Sequence, residues 1–588
     1  MHGTCNLSIA PAFSLVMSTL QTVLLAGLVG PAYLLAVLVI GTAVAPSWIQ
    51  TLPGRWDRAL LTLLAGTLSH ALVAALVLAA SPAYVGAALW ICAGIALGTL
   101  LAKRQRLQVG VPHVVLLALF ALCYLLMVSY HFSPARGPTL FWSLYGLTGI
   151  TPGDSPQGAF QAQYLLWGHA LKEGGEFSLF DRPFLGGIIT ADVLKAFGFG
   201  FSDRFYDYSP ALQMAYASLW IAINAICSIA LLSIVSRFAR GRAAYLCGIL
   251  VLVSPFFLLN VIGLWPKLYA LTWLWAACLL ALQRRPVLAC LLSGIAFYAH
   301  GSFLWSHIAF CGVVTFYLLA EAWRQRAIPW PALAGSLLLC ALVPALWFAA
   351  EHIFGGASPL RQYYLYNVPV TEGFHHDAAE IAQAFYATTS PASLSLVPWM
   401  NMAKGLLPTE VLQLVMGSSL ANPAPSWRDL AESLFQLQFL RALFALGLLG
   451  GAVVLRGFFA AEAHRWTPRL LLIGLLLLPL IPGLGLYRRD DHFLLPVMLF
   501  AAIPVLVHFC IGMQQLGAKT IKLISLAMLV EFVGVLYWRM PPASYEGEFT
   551  HYFSSLVLVT GVVTAILILR APSRFMPLPG AHDPESIR

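Results

Sequence analysis

The stretch GDSPQGAFQAQYLLWGHAL, residues 153–171, combines a possible catalytic acid with the pattern of a membrane-surface helix. It begins with Asp154 and a Ser-Pro pair, which together suit the start of a helix. Phe160, Tyr164 and Trp167 then recur at helical spacing, which predicts an interfacial helix whose rings lie at the depth of the lipid headgroups. Asp154 is therefore either a helix cap or a carboxylate held at the membrane surface as a general base for a lipid-borne substrate.

Candidate phosphate ligands lie at the ends of two later apolar segments. One is Lys267, in the sequence GLWPKLYALTW, and the others belong to the cluster LYRRDDHFLLP, whose polar members are Arg488, Arg489, Asp490, Asp491 and His492. Arginine makes forked contacts with phosphate oxygens, so these cations are candidates for holding a lipid phosphate. Each has a structural alternative, because Lys267 could extend to the headgroups and the two arginines could pair with the neighbouring aspartates.

Besides Asp491 and His492 of the cluster LYRRDDHFLLP, three further residues are candidates for orienting a substrate. Asp181 and Arg182 precede a proline in FDRPFLGGIITADVLKAFGFG, where the sequence predicts a second short apolar helix that Gly198 closes. His300 lies at a turn between two apolar segments, in FYAHGSFLW. The structural alternative for His300 is a buried histidine with satisfied hydrogen bonds.

Glu531 lies inside the apolar segment LAMLVEFVGVLYW, and a carboxylate within a membrane span is by default a functional candidate. It could belong to the same cavity as the outer cations, or serve as the carboxylate of a proton-coupled transporter. His70 and Asn224 are weaker signals of the same kind.

The composition of the chain indicates that membrane-spanning segments hold these residues in position. The 588 residues are 60% hydrophobic and 10% charged, with a mean hydropathy of +0.81, whereas soluble domains are about 25% charged. A membrane span needs about 20 apolar residues, and by that criterion the chain has about fifteen. They lie near 20–44, 59–80, 84–102, 111–131, 209–236, 243–263, 266–283, 286–299, 302–321, 331–351, 439–458, 468–487, 492–513, 520–538 and 553–571. The segment 286–299 is short enough to be re-entrant or kinked.

The charge distribution predicts the orientation of these spans. With the N-terminus outside and the spans alternating, every short inner loop is basic, as the positive-inside rule requires. The formal net charge of +9 is therefore a topology signal, and nucleic acid is excluded as a partner. Two long segments, 132–208 and 352–438, then fall on the outer side and are interpreted as functional loops.

Motifs for other classes of site are lacking in the sequence. Nine of the ten cysteines lie in predicted spans, and no Cys-x-x-Cys motif or Cys/His pair at ligand spacing is evident. The sequence also contains no P-loop, no Gly-x-Ser-x-Gly motif and no Gly-x-Gly-x-x-Gly motif opening a helix. We therefore expect no metal site, no cofactor and no ATP-driven activity of this chain alone.

The quoted segments together resemble the GT-C superfamily of membrane glycosyltransferases, which includes the protein O-mannosyltransferases and the aminoarabinose transferase of lipid A. The resemblance covers residues 111–513 and implies a polyprenyl-phosphate sugar donor, with an aspartate of the first outer loop as catalytic base. Asp154 is the matching position, although the family's usual Asp-Glu pair does not follow it. The implied organisation is three additional spans in 1–110, a GT-C-like core in 111–351, the outer loop 352–438, and further spans with a short inner tail in 439–588.

The expected function is that of an inverting glycosyltransferase on the periplasmic side of a bacterial inner membrane. Membrane lipids and the prenyl-phosphate donor are the expected partners, and the acceptor is left open between glycan, lipid and protein. In this interpretation Asp154 accepts the acceptor's proton, and Lys267, Arg488 and Arg489 hold the leaving phosphate. Two alternatives remain: a polysaccharide polymerase or ligase that depends on an Arg/His pair, and a flippase or transporter with broken helices at the midplane.

Overall fold

The structure is a computed structural model and describes residues 21, 23–107, 109–131, 140, 157–167, 183–202, 208–326, 328–355, 387, 390–391, 446–460, 495–538 and 550–571. These residues are almost entirely helical and contain no strand. Within them, seven helices are long and apolar enough to cross a membrane, or eight if one bent pair counts as a span. The protein is therefore a helical, multi-pass membrane protein. The larger count of about fifteen spans stays a prediction.

The described helices follow the predicted apolar segments. In chain order they are α1 (Val29–Val44), α2 (Ser47–Gln50), α3 (Arg55–Ala80), α4 (Ala87–Ala102), α5 (Val111–His131), α6 (Gln157–Trp167), α7 (Leu185–Ala196), α8 (Pro210–Ala225), α9 (Cys227–Phe238), α10 (Gly241–Val253), α11 (Pro255–Ile262), α12 (Lys267–Leu282), α13 (Pro286–Ala299), α14 (Leu304–Gln325), α15 (Trp330–Gly355), α16 (Gly447–Phe459), α17 (Leu495–Gln514), α18 (Ala518–Trp538) and α19 (Thr550–Leu569). Short 3₁₀ turns at Pro82–Tyr84 and Gly301–Phe303 precede α4 and α14.

Several predicted spans differ from simple membrane-crossing helices. The segment near 243–263 consists of α10 and α11, which meet at an angle of 45°. Ser254 separates them, and its hydroxyl accepts the N–H of Phe257, so α11 starts with a proper cap just before Pro255 would interrupt α10. Helices α4, α12, α13 and α16 have 13 to 16 residues each, fewer than the roughly 20 that a perpendicular span needs.

The centre of the bundle is formed by α8, α9 and α12. These helices are apolar on nearly all faces, which is typical of helices surrounded by protein. Their largest side chains, among them Trp220 and Trp273, are almost completely inaccessible. Helix α13 packs along α12, and α14 and α15 pack in turn on α13. The start of α12, with Lys267, therefore lies in the most enclosed part of the described structure.

Glycine allows α1 and α3 to pack with their backbones in contact. A Cβ atom at Gly41 would lie 1.9 Å from the carbonyl oxygen of Thr62, and one at Gly66 would lie 1.9 Å from that of Val37. Any larger residue at either position would force the helices apart, as in other membrane helix pairs that cross at small residues. The first long helices thus form a tightly joined pair.

Contacts between sequence-distant loops show which helix ends share a side of the bundle. Asp57 at the start of α3 pairs with Arg237 at the end of α9. At other helix ends, Arg285 stacks on Trp48, and Arg242 and Arg456 donate to the carbonyls of Ala518 and Gln515. All of these segments were predicted on the inner side, so the contacts agree with the alternation of the spans. Which side faces the cytoplasm stays a prediction.

Candidate functional site

The segment from Gly263 to Lys267 joins α11 to α12 and is buried throughout. Gly263 ends α11, and Leu264 adopts a left-handed conformation with a φ of 58°, which is uncommon for a residue other than glycine. Pro266 then directs the chain into α12, where its fixed φ and missing N–H are tolerated. The result is a tight corner that places Lys267 at the first position of α12, with only 1% of its surface exposed.

Lys267 occupies an electrostatically unusual position. Its side chain lies within the helix bundle and does not extend to a bilayer surface, which removes the headgroup alternative considered from the sequence. Its Nζ atom lies 2.7 Å from the centre of the Trp265 ring, a cation–π contact. The N-terminus of a helix carries partial positive charge, so a buried cation there adds to an already positive field. An anion bound at this corner would relieve both charges.

Two donors accompany Lys267 at this corner. The residue before α12 is Pro266, which has no side-chain oxygen to cap the first turn of this helix. The indole N–H of Trp265 is buried and has no hydrogen-bond acceptor among the described residues. Buried donors normally have partners, so an unoccupied one needs an explanation. An ammonium group, an indole N–H and a helix start together form an arrangement suited to a phosphate or carboxylate.

His300 lies beside the same tryptophan. It ends α13, is 5% exposed, and its ring meets that of Trp265 edge-on with centroids 6.0 Å apart. Phe303, in the 3₁₀ turn that follows, contacts the other side of the imidazole at 6.4 Å. The structure therefore brings together two of the predicted site residues, Lys267 and His300, through Trp265. We call Trp265, Lys267, His300 and the first turn of α12 the α12 corner.

A row of aromatic rings connects the predicted first outer loop to the helix that carries His300. Tyr164 of α6 stacks on Phe184 with centroids 6.2 Å apart, and Phe184 meets Trp347 of α15 edge-on at 5.6 Å. Trp347 in turn contacts Tyr298 of α13 at 6.3 Å, two residues before His300. Phe184 directly precedes α7, so this aromatic row joins the start of α7 to α13.

Helix α6 exists as predicted, but it is more buried than an interfacial helix. Phe160 is 8% exposed, Tyr164 is half-buried, and only Trp167, at 49%, is open to the surroundings. The structure also buries two polar residues of this helix, Gln161 and Gln163. The Gln161 amide donates to the carbonyl of Pro183, and the Gln163 amide to that of Ser202. Satisfied hydrogen bonds allow this polar face to turn inward against α7.

Helix α7 ends as its glycine predicted. Gly198 has a φ of 81°, its N–H donates to Lys195, and the N–H of Phe199 donates to Leu194. These two bonds form the Schellman arrangement that ends many helices.

Glu531 has a definite structural role. Its carboxylate accepts the N–H of Leu448 at 2.6 Å and faces that of Leu449 at 3.5 Å, so it caps the start of α16 from a neighbouring helix. Gly447, with a φ of 79°, makes room for the carboxylate, because a Cβ atom there would lie 2.6 Å from the Glu531 Cδ atom. The described contacts place Glu531 at α16 and not at the α12 corner.

The sequence interpretation did not identify a buried cluster around Asp192, a residue of α7. Asp192 Oδ1 accepts the N–H of Gly86 at 2.7 Å, and Oδ2 accepts that of Leu89 at 2.9 Å. His70 of α3, noted only as a weak signal, places its Nε2 atom 2.9 Å from Oδ2. Burial by itself raises the pKa of Asp192, but the hydrogen bond and charge of His70 and the two backbone donors outweigh it and leave the pKa below its ordinary value.

A further polar pair within the spans was not anticipated. His307 and Cys311, one turn apart on α14, form the Cys/His pair that the sequence search missed, and His307 Nδ1 lies 2.8 Å from the hydroxyl of Ser293. Within the described residues, no cluster of three or more His, Cys, Asp and Glu is arranged to hold a metal ion. Asn224 is fully buried, and its amide has no hydrogen-bond partner among the residues described.

The remaining predicted site residues lie outside the described residues. They are Asp154, Asp181, Arg182, Arg488, Arg489, Asp491 and His492. Their roles stay predictions from the sequence.

Comparison with known proteins gives no relative from which a role can be taken. No protein-family model, curated protein or solved structure matches this chain.

Proposed function

We propose that this protein is an inverting glycosyltransferase of the bacterial inner membrane, with its N-terminus in the periplasm and its C-terminus in the cytoplasm. It transfers a sugar from a polyprenyl-phosphate donor to an acceptor on the periplasmic side. The proposal rests on the sequence resemblance to GT-C enzymes, and the α12 corner is the single structural observation that supports it.

The α12 corner suits a lipid phosphate better than a soluble anion. The corner lies inside a bundle of membrane-crossing helices, and the proposed donor is itself a membrane lipid whose prenyl chain lies in the bilayer. Lys267 supplies the charge, while Trp265 and the first turn of α12 supply directed N–H donors. Such fixed donors stabilise the negative charge that develops on a leaving phosphate without reorganising during the reaction.

The reaction needs a base and a site for the leaving group. The acceptor attacks the anomeric carbon as the bond to the phosphate oxygen breaks, so the configuration inverts and the prenyl phosphate leaves as an anion. Asp154 accepts the proton of the acceptor hydroxyl or amine. Lys267, Arg488 and Arg489 hold the phosphate, and His300, Asp181 and Arg182 orient the sugar or the acceptor.

The proposal is tested with the full chain reconstituted in liposomes and supplied with radiolabelled prenyl-phosphate sugars. Asp154→Asn removes the base while keeping the shape of the side chain, and we expect transfer to fall roughly 10²- to 10⁴-fold with donor binding intact. Glu173→Gln, which changes an acid of the same predicted loop, is the matched control and should transfer normally.

Each other outcome leads to a different conclusion. Normal transfer by Asp154→Asn would reduce Asp154 to a helix cap and favour the polymerase or ligase alternative, which depends on residues such as Arg488 and His492. A wild-type protein that transfers no sugar from any donor would overturn the glycosyltransferase proposal.

A transporter or flippase is the second candidate, and the break between α10 and α11 favours it. Transporters often bind substrates where helices are interrupted within the membrane, and here a 45° bend lies between Val253 and Pro255. Helix α16, whose start is capped by Glu531, is a further short helix, with 13 residues. Movement of a fluorescent prenyl-phosphate lipid across liposomes without sugar transfer would support this candidate.

A further inference from the structure

Asp192 is the meeting point of four helices. It lies on α7, is 1% exposed, and receives donors from the start of α4 and from α3. On the far side of the imidazole, His70 Nδ1 lies 3.4 Å from the hydroxyl of Tyr33 on α1, and the two rings meet edge-on. A side chain of the first outer loop is thereby joined to all three of the long helices that precede α5.

The same junction is reinforced around the last turn of α7. Lys195 Nζ donates to the carbonyls of Pro82 and Ala83, at 3.2 and 3.4 Å. In the opposite direction, Trp90 Nε1 donates to the carbonyl of Ala196 at 3.1 Å. Gly86 has a φ of 99°, and a Cβ atom there would lie 2.9 Å from the Ala196 backbone nitrogen. The backbone of α7 therefore touches the turn between α3 and α4.

These contacts explain how a short helix can be fixed in a long loop. Helix α7 has 12 residues, and an isolated helix of this length is marginally stable. A buried carboxylate with three donors holds one orientation, because any rotation of α7 would leave a charge and two N–H groups buried without partners. The start of α7 adjoins Phe184, the member of the aromatic row nearest to Asp181 and Arg182.

We infer that Asp192 and His70 are positioning residues, and that α1, α3 and α4 form a platform that holds α7 in the orientation that the proposed reaction needs. The three additional N-terminal helices thereby gain a function in the reaction. The effect on activity rests on the proposed glycosyltransferase function, whereas the effect on the position of α7 does not.

The test combines hydrogen–deuterium exchange with kinetics on the full-length protein in liposomes. Asp192→Asn and His70→Leu each remove one side of the contact, and His70→Gln keeps a donor toward Asp192. Asp57→Asn is the matched control, because Asp57 is also a buried carboxylate, bound by Ser233 at 2.5 Å and by Arg237, at the opposite end of α3.

We expect faster exchange in residues 83–90 and 185–196 for Asp192→Asn and His70→Leu, and unchanged exchange there for Asp57→Asn. The kcat should fall roughly 10- to 100-fold through misplacement of the loop, with the donor KM within about threefold. His70→Gln should recover part of both losses, which a purely structural defect would not predict.

Unchanged exchange in 185–196 for Asp192→Asn would overturn the inference, and so would an equal effect of Asp57→Asn. If Asp192→Asn does not fold, Tyr33→Phe and His70→Gln provide milder changes for the same comparison. A wild-type protein without transferase activity would refute the proposed function alone, because the exchange data would still decide whether the platform holds α7.

Discussion

The starts of α4 and α12 are both buried, but they are occupied in opposite ways. At α4 the chain supplies its own anion, because Asp192 accepts the N–H groups of Gly86 and Leu89. At α12 the N-cap residue, Pro266, has no side chain that could accept the N–H groups, and the next residue is a cation, Lys267. Helix α16 follows the first pattern, with Glu531 bound to its initial N–H groups.

The difference separates a structural junction from a binding site. A carboxylate satisfies the donors of a helix start and complements its positive charge, so α4 and α16 are complete without any ligand. The α12 corner combines a helix start that its N-cap residue, Pro266, cannot cap with a buried lysine and an indole N–H that has no acceptor among the described residues. We therefore expect anions to stabilise the α12 corner and to leave the start of α4 unaffected.

Lys267→Met should have the largest effect. Sugar transfer should fall roughly 10²- to 10³-fold, the loss typical of removing one fixed donor to a developing negative charge. Thermal stability should change less than transfer, because methionine fills nearly the same buried volume as the lysine stem. Transfer rates and tryptophan-monitored unfolding in detergent measure the two quantities. Lys519→Met, at an exposed lysine, is the control, and full activity of Lys267→Met would exclude the α12 corner as the donor site.

Asp192→Ala should produce the largest loss of stability. We expect about 3–5 kcal/mol in reversible unfolding in mixed micelles, because His70 and two backbone donors lose a buried partner. Glu531→Ala removes a half-buried carboxylate from the equivalent place on α16 and should lose about 1–2 kcal/mol. A similar loss of unfolding free energy in both variants would show that the deeper burial of Asp192 does not make it a stronger cap than Glu531.

The contribution of Asp192 should depend on pH in one direction. Its pKa is below the ordinary value in the folded protein, so its stabilisation is fully present above the unfolded-state value of about 3.9. The stabilisation is lost as the pH falls from there through the folded-state pKa. The difference in unfolding free energy between the wild type and Asp192→Asn should therefore shrink on acidification. A constant difference from pH 3 to pH 7 would contradict this assignment.

Gly86→Ala and Gly198→Ala separate backbone strain from contact with α7. Both glycines have positive φ, but a Cβ atom at Gly86 meets the backbone of Lys195 and Ala196, whereas one at Gly198 meets nothing within 4 Å. Gly198→Ala should cost about 1 kcal/mol through strain alone. Gly86→Ala should cost at least about 2 kcal/mol because the clash adds to the strain, as measured by the same unfolding experiment. Equal losses of unfolding free energy in the two variants would mean that the backbone of α7 is not in close contact with the turn at Gly86.

Glu531→Gln should have the smallest effect. The amide keeps an oxygen that can accept the N–H of Leu448, so only the charge interaction with the start of α16 is lost, at about 0.3–1 kcal/mol. Sugar transfer should stay normal in the liposome assay. A large loss of transfer would place Glu531 in the reaction, as the sequence first indicated.

The sequence predicted features that depend on local pattern. The long apolar runs became α1, α3, α5 and α19, because a helix is the stable form of such a run in a bilayer. Gly198 correctly marked the end of α7, since a left-handed residue follows many helices. The apolar run near 266–283 likewise corresponds to α12.

The features that the sequence did not reveal depend on pairs of distant residues. Asp192 and His70 are 122 positions apart, and neither belongs to a motif, so nothing in the local pattern indicates their contact. The inward face of α6 was misjudged for the same reason. Gln161 and Gln163 are polar, but each donates a hydrogen bond to a distant carbonyl. These carbonyls belong to Pro183 and Ser202, which are 22 and 39 positions further along the chain. The α12 corner was only half predicted, because Lys267 was recognised while the free indole donor was not.

The close glycine packing of α1 and α3 bears on how the protein is made. A pair of helices joined through Gly41 and Gly66 can assemble as soon as both have left the ribosome, without any later part of the chain. At ordinary rates of synthesis, the 122 residues that separate His70 from Asp192 take roughly 6–24 s to translate. During that interval the His70 imidazole and the N–H groups at the start of α4 lack the Asp192 carboxylate that they bind in the folded protein. Biogenesis therefore has a vulnerable stage at which a chaperone or an insertase could protect this nascent pair, and α7 ends that stage by docking.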